Sequence, residues 1–447
     1  MNTQHLLNRA FGFHHRHVLK RAEASRLIYA LQPCSMSFSQ CAPLQNDPAE
    51  QERAVAHLSG VNALAIDKFE GRYLLSGGAD SSISIWDLES NHYACRPLAS
   101  KHKTSEERKL GITQLCFYPF DSLAFLSSCY DHTVKLYSSE TLCASASFDL
   151  DSVVYNIALS PIADHLLVAC GTQHPAVRLV DLRSGASTHS LAGHSGAILS
   201  CAWSPVREHV LASGATDGTV RFWDIRRSVG ELGTLDLEDS VGEMQCRAST
   251  RPSIQERAHK GPVNGIVWTE DGRHIVTCGH DERIRVWNTD TGANTLANFG
   301  PMVRNRNLAP MIPVLAPIEM LDLEKDLLFW PNEHEVLMYE MFEGNLVRRL
   351  RRPEQKRVHN MRSGKGLRNV KDRITALAWR AHDVEFYSAH ADGSIAAWKP
   401  RTEEDAELDD EEEREREEAE DSKKRKRGVL EDIYQDLTRQ KITFGGS

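Results

Sequence analysis

HSGAILSCAWSPVREHVLASGATDGTVRFWDI, residues 194–225, is the stretch from which the rest of the chain can be read. It opens on His194, reaches Ile198 four residues later, then carries Ser213, Asp217 four further on and Trp223 six beyond that. Two other segments repeat the spacing. HLSGVNALAIDKFEGRYLLSGGADSSISIWDL from His57 holds Ser76, Asp80 and Trp86, and HKGPVNGIVWTEDGRHIVTCGHDERIRVWNT from His259 holds Thr277, Asp281 and Trp287. Ser127/Asp131/Tyr137 and Ser388/Asp392/Trp398 keep the second half of the pattern without a His at matching distance. HPAVRLVDL and FWPNEHEVLMYE keep only a residue at the Trp place, Val180 and Tyr339. Positions 86, 137, 180, 223, 287, 339 and 398 therefore recur every 43 to 64 residues, the spacing of a four-stranded unit with insertions.

Within each unit, short β-branched or aromatic runs such as ISIW and VRFW alternate with Gly, Asp and Ser turns, the mark of strands buried on alternate side chains. The fold class that follows is all-β, a seven-bladed propeller resembling the WD40 type. Each Asp is expected to accept from the His ring, the ring to meet the Ser or Thr hydroxyl, and the indole N–H to find an acceptor in the same chain. Such a network fixes strand register, so these His/Asp pairs read as structural and not as catalytic dyads. A ring needs closing, and Glu52 to Ala56 are the candidate strand.

The net charge of −9 comes from residues 403–421, EEDAELDDEEEREREEAED, with fourteen acids against two arginines. The body ahead of them is nearly neutral, which argues against a broad basic surface, and direct nucleic-acid binding is not expected. No run approaches the roughly 20 apolar residues of a membrane span. Ten single cysteines without a C-x-x-C pair suit a reducing compartment. No phosphate loop, nucleophile elbow or metal cluster is present, so no enzyme activity, cofactor, metal or small-molecule substrate is expected.

The chain divides into an N-terminal helical segment (1–50), the propeller (51–400) and a charged, disordered tail (401–447) in which Lys423, Lys424, Arg425, Lys426 and Arg427 form a nuclear-import cluster. LKRAEASRLIYALQ, 19–32, places Ala24, Leu27, Ile28 and Leu31 on one helical stripe, which either packs back on the ring or is offered to a partner groove. RRLRRPEQKRVHNMRSGKGLRNVKDR, 348–373, reads as a basic insertion.

The segments KRAEASRLIYAL (20–31), GRYLLSGGADSSISIWDLE (71–89), WDIRR (223–227) and VNGIVWTEDGRHIVTCGHDERIRVWNTDTGANTLANFG (263–300) resemble the Cockayne syndrome A family. The likeness runs over residues 11–400 and is poorest beyond 301. It implies a substrate-recognition subunit of a cullin-4 RING ubiquitin ligase in transcription-coupled nucleotide excision repair, at work in the nucleus. The implied partners are the ligase's damage-specific DNA-binding adaptor, cullin-4 and the RING subunit through it, a SNF2-type repair ATPase and stalled RNA polymerase II. Carried onto this sequence, adaptor docking falls on Lys20, Arg21, Ala22, Arg26 and Leu27, and on the D-x-R edges Asp181/Arg183 and Asp224/Arg226. The apolar stripe is expected to supply most of the affinity and Arg226 the orientation, so that removal of residues 1–32 should free the ligase from a folded ring.

Overall fold

The computed structural model describes residues 16–34, 36–40, 55–89, 94–101, 110–162, 165–185, 187–227, 230–237, 257–322, 325–352 and 373–401. Seven antiparallel sheets follow one another along the chain. Their third strands are Ile83–Asp87, Thr133–Ser138, Ala176–Asp181, Val220–Asp224, Arg283–Asn288, Glu335–Glu340 and Ile395–Pro400. Each contains one of the seven repeat positions, and Val180 and Tyr339 are as buried as the tryptophans. The wedge between blades asks for a bulky apolar side chain at this place, which is why the position survives where the polar residues around it do not.

First strands of neighbouring blades pack side by side, Val61–Ile66 against Ile112–Phe117 on one side and Ile374–Trp379 on the other. Amide side chains staple this inner wall. Asn62 Nδ2 donates to the Ile112 carbonyl at 3.0 Å, Gln114 Oε1 accepts from Ile157 N–H at 2.9 Å, and Asn156 Oδ1 accepts from Cys201 N–H at 3.0 Å. Each spans a blade boundary and satisfies a backbone group that would otherwise be stranded.

Helix α1 runs over Arg16–Tyr29 and leads straight into β1, Leu31–Pro33. This strand pairs with Ile395–Pro400 as the outer strand of the seventh blade. Ring closure therefore belongs to Leu31–Pro33 and not to Glu52–Ala56. Residues 52–54 lie outside the described residues, and Ala56 only donates its N–H to the Gly393 carbonyl. The choice has a packing reason. Leu31 is fully buried among Phe386, Trp398 and the sixth blade, and β2, Ser37–Phe38, then puts Phe38 edge-on to both Trp86 and Tyr387. One short segment thus joins the sixth, seventh and first blades, and the ring draws its closing strand from the segment read as N-terminal to it.

The basic stretch also begins later than its composition suggests. Leu346–Arg351 is the outer strand of the sixth blade, with Arg349 and Arg351 both on the buried carboxylate of Glu335 at 2.6 and 2.7 Å. Residues 353–372 and the tail from 402 lie outside the described residues, as do the readings of disorder and nuclear import made for them.

Candidate functional site

In the fourth blade Trp223 Nε1 donates to Ser213 Oγ at 2.7 Å, and Ser213 Oγ lies 2.7 Å from His194 Nε2. His194 Nδ1 lies 2.8 Å from Thr219 Oγ1, which donates to Asp217 Oδ1 at 2.7 Å. Only one assignment uses every donor once: indole N–H to Ser, Ser O–H to Nε2, Nδ1–H to Thr, Thr O–H to the carboxylate. Burial pushes the Asp217 carboxyl up, but the His194 ring 3.6 Å away, the Thr219 hydroxyl and the backbone N–H groups of Ser195 and Thr219 outweigh it and hold the group well below the usual carboxylate range. The first blade repeats the chain through Trp86, Ser76, His57, Ser82 and Asp80 at 2.7, 2.7, 2.5 and 2.5 Å.

A direct hydrogen bond of ring and carboxylate, expected in all three blades, forms among the described residues only in the fifth; in the first and fourth the two groups stand 4.0 and 3.6 Å apart. His259 Nδ1 is 3.0 Å from Asp281 Oδ1, with Thr277 Oγ1 2.8 Å from Nε2 and 2.9 Å from the Trp287 indole nitrogen. Elsewhere a further hydroxyl two residues past the Asp is inserted, Ser82 or Thr219; the fifth blade has Arg283 there. The signal was legible as D-x-S/T. The seventh blade lacks the incoming His and replaces it from its own second strand, where His390 Nε2 meets Ser388 Oγ at 3.0 Å. His390 sits where the first and fifth blades have Gly78 and Gly279. A Cβ there would stand 2.8 Å from the His57 ring and 2.4 Å from the His259 ring, so glycine makes room for a histidine arriving from outside. Ser76, Ser213 and Thr277 are sealed from solvent, which makes these chains register pins.

The D-x-R edges divide into two functions. Asp224 Oδ1 accepts the backbone N–H of Arg226 at 3.1 Å, and the same turn forms in the first blade (Asp87 and Glu89 N–H, 3.0 Å) and the third (Asp181 and Arg183 N–H, 3.0 Å). The turn needs the carboxylate and is indifferent to the side chain two residues on. Arg226 folds back on Asp224 through Nε and Nη2 at 3.1 and 3.0 Å while remaining 65% exposed. Arg183 is exposed and makes no side-chain hydrogen bond among the described residues, since Asp181 takes Ser184 Oγ at 2.9 Å. The two cations read as a matched pair are thus unequal, one neutralised and one open.

Of the two directions left open for the stripe, helix α1 takes the inward one, so the stripe does not supply adaptor affinity as expected. Ile28 and Leu31 of the apolar stripe are fully buried in the molecule's own core, Ala24 and Leu27 are half-buried, and Ser25 is buried. Arg21 donates to the carbonyls of Leu321 and Ile318 at 3.0 and 2.9 Å, and Arg348 caps the helix end at the Tyr29 carbonyl at 2.8 Å. Of the residues singled out for docking, Lys20 and Arg26 face solvent with Glu23 and Val18, and Ala22 is half-buried. The turn held by Arg21 lies between the first and second strands of the sixth blade, and Asp181 and Asp224 end third strands. Antiparallel pairing places both kinds of turn at one end of a blade. Ile318 N–H to Glu270 Oε2 at 3.1 Å and Arg207 to Asp290 at 2.9 Å continue that end across the fifth and fourth blades. No hydrogen bond or ion pair joins α1 to the D-x-R residues among the described residues.

Four segments, 50–87, 100–138, 185–224 and 251–288, match the WD domain, G-beta repeat family. WD repeat-containing protein ATCSA-1 of Arabidopsis thaliana is 30% identical over 427 aligned positions covering 79% of this chain and 89% of the relative. Ribosome biogenesis protein ytm1 of Emericella nidulans is 28% identical over 53% of this chain and 54% of its own length. Radiation-sensitive protein 28 of Saccharomyces cerevisiae is 28% identical over 40% and 38%.

Proposed function

We propose, from the premise that the chain belongs to the Cockayne syndrome A-type family of WD40 proteins, that it is the substrate receptor of a cullin-4 RING ubiquitin ligase in transcription-coupled nucleotide excision repair. The observation that carries this reading beyond a binding platform is the presentation of α1. Its inner face is locked into the ring by Ile28, Arg21 and Arg348, while Lys20, Glu23 and Arg26 stand outward on a fixed support. A helix ordered before binding gives up little entropy when a partner closes on it.

The mechanism is positional. One surface holds the damage-specific DNA-binding adaptor, and through it cullin-4 and the RING subunit. Another engages a SNF2-type repair ATPase and stalled RNA polymerase II, so that ubiquitin-charged enzyme is concentrated beside target lysines. No bond is made or broken by this chain, and Lys423 to Arg427 direct it to the nucleus.

Deleting residues 1–32 is no longer a clean test, because it removes Ile28 and Leu31 from the core. The double variant Lys20→Glu/Arg26→Glu leaves the buried face intact. Affinity purification with mass spectrometry, from irradiated and untreated cells, should recover adaptor and cullin with the parent chain and lose both with the variant, at unchanged thermal stability. Retention by the variant removes α1 from the docking surface. The alternative, a scaffold of a nuclear RNA-processing or chromatin complex, draws on the ytm1 relatives and predicts such components without cullin. Replacing residues 423–427 by alanine in a fluorescent fusion should shift it to the cytoplasm; an unchanged nuclear signal refutes the import assignment.

A further inference from the structure

The turn that follows the first strand of the fifth blade, residues 269–273, stands against the sixth blade, and an open cavity of about 200 Å³ lies between them. Leu315, Ala316, Leu327 and Met341 make its floor, all but Leu315 buried, and Phe342, 40% exposed, makes one wall. The His274 ring packs edge-on to Phe342 at 4.8 Å. Pockets that take whole small molecules run to about 300–1,000 Å³, so this volume suits a single side chain.

The rim is acidic. Glu270, Asp271 and Asp326 line it together with one guanidinium, Arg273, and the His274 ring. Glu270 Oε2 accepts the Ile318 N–H at 3.1 Å, and Asp271 Oδ1 accepts the Thr269 hydroxyl at 2.5 Å and the Arg273 N–H at 3.0 Å. Among the described residues, no hydrogen bond or ion pair reaches the half-buried carboxylate of Asp326. Burial and the neighbouring Asp271 raise this carboxyl more than His274 lowers it. The nearby cations are engaged elsewhere. Arg273 acts on Asp271, and Lys325, next to Asp326 in sequence, places its Nζ 5.6 Å from the centre of the Tyr29 ring.

We infer that this cavity receives an arginine side chain presented by another protein. Its methylene stem lies over Leu327 and Met341, and its guanidinium passes the Phe342 ring to reach Asp326. Three features select that residue together. An apolar floor suits a long stem with a charged head, an exposed aromatic wall favours a planar and weakly hydrated cation, and an unmatched half-buried carboxylate favours a bidentate donor. Lysine offers the charge without the plane, and citrulline the shape without the charge. Arg21 of α1 holds the carbonyls of the turn whose first N–H goes to Glu270, so the rim of the cavity and α1 share one turn. The inference does not depend on which protein brings the arginine, nor on the ligase reading.

The test uses the full chain, isotope-labelled at its methionine methyl groups for NMR, in which Met341 reports from the cavity floor and the volume-conserving Met341→Leu identifies its signal. Three end-blocked tripeptides, Gly-Arg-Gly, Gly-Lys-Gly and Gly-citrulline-Gly, are titrated up to about 10 mM. The arginine peptide should shift the Met341 signal saturably, the lysine peptide should bind more weakly, and the citrulline peptide should leave the signal in place. Asp326→Asn should weaken the arginine peptide about tenfold, the loss of one charge-assisted hydrogen bond. The other methionine signals check that this variant keeps its fold. An unmoved Met341 signal, equal binding of the lysine or citrulline peptide, or an Asp326→Asn variant that binds the arginine peptide unchanged overturns the inference.

Discussion

The first and fourth blades end their third strands in WDLE and WDIR, and they solve one electrostatic problem in two ways. Asp87 and Asp224 are both nearly buried, and each is met by a bidentate guanidinium. In the fourth blade it comes from Arg226, two residues on; in the first it comes from Arg72 across the turn, at 3.1 and 2.8 Å. The same cause, a hydrogen-bonded guanidinium, holds both carboxyls below their ordinary value. The arginine of D-x-R is therefore first the counter-ion of its own aspartate. A docking role for Arg226 has to be added to that one, whereas Arg183 is available without it.

Three measurements act on this comparison. The largest effect tests whether the two blades are equivalent beneath their edges. Trp86→Ala and Trp223→Ala each empty a fully buried site and should each cost about 3–5 kcal/mol in urea unfolding; a gap of more than about 2 kcal/mol between them would mean that the blades are not interchangeable units. Acid is the next probe. Asp87, Asp224, Asp217 and Asp281 all have depressed folded values, so their contribution is complete above about pH 4, near the unfolded carboxylate value, and is lost as pH falls through the folded range. His259 is also depressed, because burial of the ring outweighs the bond it donates to Asp281. Its contribution is whole above about pH 6.5 and shrinks as pH falls toward the folded value, because the unfolded chain takes up the proton first. Thermal unfolding should therefore show two limbs, and His259→Gln should flatten the one between pH 7 and 5 while sparing the one below 4. The smallest effect separates the two edges. Arg72→Ala should lower the melting temperature more than Arg226→Ala, since Arg227 stands 3.6 Å from Asp224 as a second cation. If Arg226→Ala keeps both its stability and adaptor binding, the D-x-R box in this chain is only the end of a strand.

Much of this was legible in order of residues. The seven buried positions, including worn Val180 and Tyr339, followed from spacing, because a blade repeats one packing demand and a repeat writes it seven times. The His, Ser and Trp links followed too, and Ser82 and Thr219 could have been read from D-x-S/T. His390 was harder to see, because it replaces its ring from a different strand and keeps the space without keeping the spacing. The apolar stripe of α1 was visible, but its direction was not. A helix stripe of Ala24, Leu27, Ile28 and Leu31 has the same periodicity whether it faces the ring or a partner.

By itself, then, the sequence determined the class of fold, the number of blades and the residues that pin their register, since these rest on contacts within one repeat and recur in a fixed local spacing. Tertiary structure alone decided that Leu31–Pro33 closes the ring, that Arg21 and Ile28 are spent inside the molecule, and that Arg72 does for Asp87 what Arg226 does for Asp224. Each of these joins groups brought together only when the ring is closed, and no local spacing carries that information.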